Sequence, residues 1–156
     1  MKKKILLVLI GLIMVLAACE EEKVVKEKES HSNVDSMDSI YTAGDISISL
    51  SVSQEIYKQG ETPVFIIRND GKIPVQYTGS GTILEYLQDD VWVMAGNAVT
   101  LDELNVLEPG QKMEEKLSPS DIQQKGVYRV VFRFQVNKSE EKSSQKIAVQ
   151  FSVDSP

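Results

Sequence analysis

From Ile46 to Ser53 the chain reads Ile-Ser-Ile-Ser-Leu-Ser-Val-Ser, apolar and serine in strict alternation over eight residues. A period of two sends successive side chains to opposite faces of an extended chain, one toward a core and one toward water. The same period returns near the C-terminus. Tyr128, Val130, Phe132, Phe134 and Val136 share one face, while Arg129, Val131, Arg133 and Gln135 share the other. Ile147, Val149, Phe151 and Val153 then alternate with Ala148, Gln150 and Ser152. A chain patterned this way at both ends builds sheets.

Turn chemistry divides what lies between. Gln59-Gly60-Glu61 is a turn signal, and Pro63 suits a strand start or edge. Val64 to Ile67 is a buried strand ending at Asn69-Asp70-Gly71, where Asp-Gly tolerates positive φ. Val75 to Tyr77 continues after Pro74, and Gly79-Ser80-Gly81 is expected to break the chain again. Thr82 to Leu87 and Val91 to Met94 flank Gln88-Asp89-Asp90 as a hairpin. The stretch from Ala95 to Leu107 shows no helical stripe, and Gly96-Asn97 suggests a turn. Leu107-Glu108-Pro109-Gly110 is a strong turn, followed by a short polar strand from Lys112 to Leu117. Ser118-Pro119 suits one helical turn through Ile122, and Asn137 to Ser144 reads as a charged hairpin loop. These segments predict about seven to nine short antiparallel strands in a single all-β sandwich over 45–154.

The first residues obey a different grammar. Lys2, Lys3 and Lys4 precede an apolar run from Ile5 to Leu16, which ends in Leu16-Ala17-Ala18-Cys19. The run is shorter than the roughly 20 apolar residues a spanning helix needs. An ordinary secretory signal needs no cysteine at its end. This junction resembles the lipobox of bacterial lipoproteins. The resemblance implies a signal over 1–18 and acylation of Cys19, which becomes the mature N-terminus and anchors the protein on the extracytoplasmic face of the cell membrane. Two acyl chains, as that family implies, meet the requirement for stable anchoring. Cys19 is the only cysteine, so none is left for a disulfide, a metal thiolate or a nucleophile.

Loss of Lys2 to Lys4 with the signal takes the formal charge from −6 to −9. An acidic chain has no footprint for nucleic acid and none for anionic lipid or wall polymer. The partners expected are the membrane, through the lipid on Cys19, and a protein or cell-envelope component. Residues 19–44 are charged and polar, with too few apolar groups to offset ordering entropy, and read as a disordered tether. Such a coil reaches roughly 25–30 Å. His31, the only histidine, lies within it.

Gly126-Val127-Tyr128-Arg129-Val130 resembles the start of the penultimate strand in immunoglobulin-like domains. There a tyrosine bonds back to the preceding backbone, and Tyr128 would be that residue; Val130 stands where antibody domains carry their second cysteine. Together with Tyr57-Lys58-Gln59-Gly60-Glu61, Ile67-Arg68-Asn69-Asp70-Gly71, Leu84-Glu85 with Trp92, and Leu107-Glu108-Pro109-Gly110-Gln111, the pattern is similar to a bacterial immunoglobulin-like domain of exported Gram-positive (Bacillus-type) proteins. Trp92 departs from the antibody pattern because it follows a hairpin and has no disulfide to pack on. Tyr128 and Trp92 are expected to be structural. The resemblance implies a fold and a location and no reaction.

No catalytic constellation emerges. The folded region holds no histidine to activate a serine. Asp89-Asp90, Asp102-Glu103, Glu114-Glu115 and Glu140-Glu141 are neighbours whose side chains diverge in a strand, unlike the facing carboxylates of a glycosidase. Asp89-Asp90 lacks the loop that would complete a calcium site, and Gly79-Ser80-Gly81 lacks the lysine and helix of a phosphate cradle. Arg129 and Arg133 share a face as an anion site or, the blander expectation, as solvated residues. No enzyme activity and no cofactor or metal is expected. The sequence favours a non-enzymatic binding or structural module. Its alternative is an inhibitor of extracellular proteases presenting Thr78–Thr82 or Asn137–Ser144 as a loop.

Overall fold

The computed structural model describes residues 37–97, 103–138 and 141–156. The expected signal, Cys19, His31 and the linker as far as Ser36 lie outside the described residues, as do Asp102 and Glu140. The strands are β1 (Ile40–Ala43), β2 (Ile46–Val52), β3 (Ile56–Lys58), β4 (Val64–Asn69), β5 (Val75–Gln88), β6 (Val91–Asn97), β7 (Leu104–Leu107), β8 (Lys112–Lys116), β9 (Gly126–Lys138) and β10 (Glu141–Asp154), with one 3₁₀ turn at Pro119–Asp121. One sheet has the order β1-β2-β4-β8; the other runs β3-β10-β9-β5-β6, with β7 also on β5.

The alternating stretches supply the core. Ile46, Ile48 and Leu50 from β2, with Phe65 and Ile67 from β4, pack against Tyr128, Val130, Phe132 and Phe134 from β9 and Phe151 from β10. Tyr128 and Phe151 stack with ring centres 5.6 Å apart, and Tyr57 meets Phe151 edge-on. Asn69, fully buried, holds the bottom of this core with its side chain. It donates to the carbonyls of Ile73 and Leu107 and accepts from the Gly71 amide.

The structure corrects several expectations. β1 lies inside the expected linker and pairs with β2, because Tyr41 has an aromatic partner in Phe134. The ladder between β3 and β10 is parallel, whereas every other ladder among the described residues is antiparallel. Gly79-Ser80-Gly81 does not end a strand; β5 runs straight through it, with the register against β9 shifted between Tyr77 and Thr82. Gly71 does not adopt positive φ. It is glycine because a Cβ there would stand 2.6 Å from Asp45 O and Ser47 N. Most of Asn137–Ser144 is ladder and not loop, with Lys138 paired to Glu141. Arg129 is buried, not solvated, while Arg133 stays exposed.

Candidate functional site

The hairpin β5–β6 shapes one end of the larger sheet. Gln88 pairs with Val91 across Asp89 and Asp90, whose φ values are 50° and 63°. Positive φ at both central residues defines the two-residue turn that matches strand twist, and aspartate tolerates it. The adjacent acidic pair is therefore turn chemistry. Among the described residues, no group of three or more His, Cys, Asp or Glu is placed to hold a metal ion.

Two structural devices fix β6 and its surroundings. On the outer face, Trp92 pairs with Leu87, outside the sandwich core. The Arg129 guanidinium lies over its ring at 4.3 Å from the centre, and Arg129 Nε donates to Glu85 Oε2 at 2.5 Å. A cation desolvated against indole gains strength from the low local dielectric. On the inner face, Tyr86 packs against Tyr128 at 5.0 Å between centres. Tyr128 Oη donates to Gln124 O at 2.9 Å and accepts from the Gln124 amide, closing the corner before β9. Burial pushes the Tyr128 phenol up, the Gln124 contact lowers it, and neighbouring Tyr86 raises it further.

Beneath this hairpin opens a cleft of about 360 Å³, bordered by Tyr86, Gln88, Val93 and Met94 on one side and by Asp121 and Gln124 on the other. The 3₁₀ turn that carries Asp121 is capped by Ser118, whose hydroxyl accepts from the Ser120 amide. Buried Leu117 and Ile122 bracket the turn and seat it on the core. Asp121 approaches β6 closely: a Cβ on Gly96 would lie 3.5 Å from its Cγ. No hydrogen bond or ion pair occupies the Asp121 carboxylate among the described residues, and no lysine or arginine lines the cleft.

The outer side of β6 has no strand beside it among the described residues. Its exposed side chains are apolar: Val91 at 41%, Val93 at 37% and Met94 at 67% of full exposure. Other clefts lie elsewhere on the sandwich. One, of about 240 Å³, lies by Tyr77, Leu104 and Arg133; another, of about 590 Å³, opens between Leu50 and Val52 of β2 and Val149 of β10.

A family model for a bacterial Ig-like domain matches residues 44–151. The chain belongs to the bacterial Ig-like domain family. No curated protein matches the sequence. Among solved structures, this Ig-like domain is similar to the SafA pilin in complex with the SafB chaperone from Salmonella enterica, at 12% identity and a TM-score of 0.48, covering 72% of this chain and 56% of that one. A β-glucosidase from Listeria innocua matches at 15% and 0.34, over 72% of this chain and 17% of the enzyme. A candidate lipoprotein from Bacillus subtilis matches at 12% and 0.37, over 75% and 38%. The chain thus spans between about a sixth and just over half of these proteins.

Of the residues singled out in the sequence, the structure brings Trp92 and Tyr128 to the two faces of one hairpin. Arg129 joins Trp92, and Arg133 lies on another part of the sheet beside Gln135 and Ser144. Thr78–Thr82 is no presented loop: Thr82 is fully buried and the segment lies within β5. Asp121 and the free edge of β6 carried no chemical signal individually. The one clue was the run Val91–Asn97, without a charge in a chain that is 26% charged.

Proposed function

We propose that this Ig-like domain is a non-enzymatic extracytoplasmic module, tethered through an acylated Cys19, which binds a protein partner by taking an extended segment of it along β6. Support for the anchor comes from the sequence: three lysines, an apolar run, and Leu16-Ala17-Ala18-Cys19. The binding mode rests on one observation, the uncharged, solvent-facing edge of β6 with Val91, Val93 and Met94 exposed. Edge strands offer a row of unpaired N–H and C=O groups to any extended chain, and proteins ordinarily blunt them with lysine, proline or a covering element. Here no charged residue or proline stands between Val91 and Asn97.

The hairpin fixes which groups are offered. The pair flanking a two-residue turn exchanges both hydrogen bonds, so Val91 and Val93 turn their backbone inward to β5, and Trp92 and Met94 turn theirs outward. A photoreactive residue placed at Val91 in the anchored protein tests the proposal. It should crosslink a partner on living cells, and the Met94→Pro change, which deletes one outward N–H, should abolish the adduct. Proline is tolerated at such an edge position. Equal capture from Val91 and from exposed Thr42, unaffected by Met94→Pro, would refute it.

A further inference from the structure

The structure also bears on what the partner carries. Building on the proposed edge docking, we infer that the cleft beneath β6 receives a lysine or arginine side chain of the docked segment. Side chains of an added strand alternate, and those on the inner side fall beside Val93, at the mouth of the cleft. What waits there is an unoccupied carboxylate on Asp121, the ring of Tyr86 and the amide side chains of Gln88 and Gln124. A long basic side chain satisfies all of these: its methylenes lie along Val93 and its charge meets the carboxylate and the ring face. An acidic residue would meet Asp121 with like charge. A purely apolar one would cover polar groups without replacing their water.

Net charge favours the same occupant. The chain carries −6 overall, so a basic segment is drawn toward it and an acidic one repelled. A second copy of the chain fits poorly, because β6 has no basic residue between Val91 and Asn97 to place against its twin's Asp121.

The test is a selection of random heptapeptides displayed on phage against the full chain, followed by titration of the best synthetic peptide. Binders should alternate apolar residues and hold one lysine or arginine in fixed register. Asp121→Asn, with an unchanged melting temperature, should weaken binding about five-fold. Replacing the peptide's basic residue with norleucine should cost the same factor, and the two changes together little more. Met94→Pro should weaken every binder by more than ten-fold. If enriched peptides lack a basic residue, or Asp121→Asn leaves their affinity unchanged while Met94→Pro still abolishes it, the inference is overturned and the edge reading stands. If no peptide binds, or Met94→Pro has no effect, the edge reading falls and takes the inference with it.

Discussion

Arg129 lies over Trp92, 4.3 Å from the indole centre, and its Nε donates to the Glu85 carboxylate. The three residues come from β6, β9 and β5, so one buried cation fastens the edge hairpin to the strand beside it. Only 5% of the Arg129 side chain is exposed, against 20% for Glu85. Arg129→Met should therefore leave a largely buried carboxylate without its cation and destabilise the fold by about 2–3 kcal/mol, below the figure for fully buried pairs because Glu85 keeps some water. The double change Glu85→Leu with Arg129→Met should recover most of that loss. Urea unfolding of the three proteins measures both effects.

Tyr128→Phe removes a hydroxyl that both donates to and accepts from the Gln124 backbone, while the rings of Tyr86 and Phe151 keep their packing. The expected cost is about 1–2 kcal/mol, read as a lower urea midpoint at unchanged slope.

Two glycines that look alike in the sequence should respond differently. Gly71→Ala forces a Cβ against two backbone atoms 2.6 Å away, and should cost about 2–3 kcal/mol. Gly110→Ala meets open space and strains only a left-handed backbone, with φ at 77°, so about 1 kcal/mol is expected. Thermal unfolding distinguishes them; equal shifts would be inconsistent with the packing described at Gly71.

Alkaline pH should weaken the domain. Burial, and then the Glu115 charge, raise the Tyr77 phenol; burial raises that of Tyr128 despite the Gln124 contact. Both hold their protons more tightly folded than unfolded. Their contribution to stability is therefore intact below about pH 10, the ordinary tyrosine value, and lost as pH climbs through the raised folded values. Melting temperatures between pH 8 and 11 should fall above 10, and less steeply in Tyr77→Phe.

Anchoring is tested separately from folding. Cys19→Ala should release the protein to the medium or leave its signal uncleaved, as electrophoretic mobility and fractionation will show. Retention at the membrane with unchanged mobility would contradict the lipid anchor.

How far the sequence revealed this molecule depends on whether the deciding partner is near in the chain. The alternation in β2, β9 and β10 is local, so the sandwich and its core face were readable from single segments. Ser118 and Pro119 were likewise enough to place the 3₁₀ turn. The burial of Arg129 is hidden in the sequence because its partners, Glu85 and Trp92, are remote and meet it only through strand register. Gly79-Ser80-Gly81 looked like a break, since a bulge inside a long strand uses the same residues as a turn. The cleft was invisible for a related reason. Asp121 belongs to a short connection, Val93 to an edge strand, and only the folded sandwich puts them on either side of one opening.

The docking edge is tested most directly by amide hydrogen exchange at single-residue resolution, with and without a saturating amount of the selected basic heptapeptide. If β6 docks the peptide, exchange slows at the Trp92 and Met94 amides, which face the open edge, with little change at Val91 and Val93, already bonded to β5. Protection centred anywhere else, or unaltered exchange at Trp92 and Met94 in the presence of bound peptide, would contradict it.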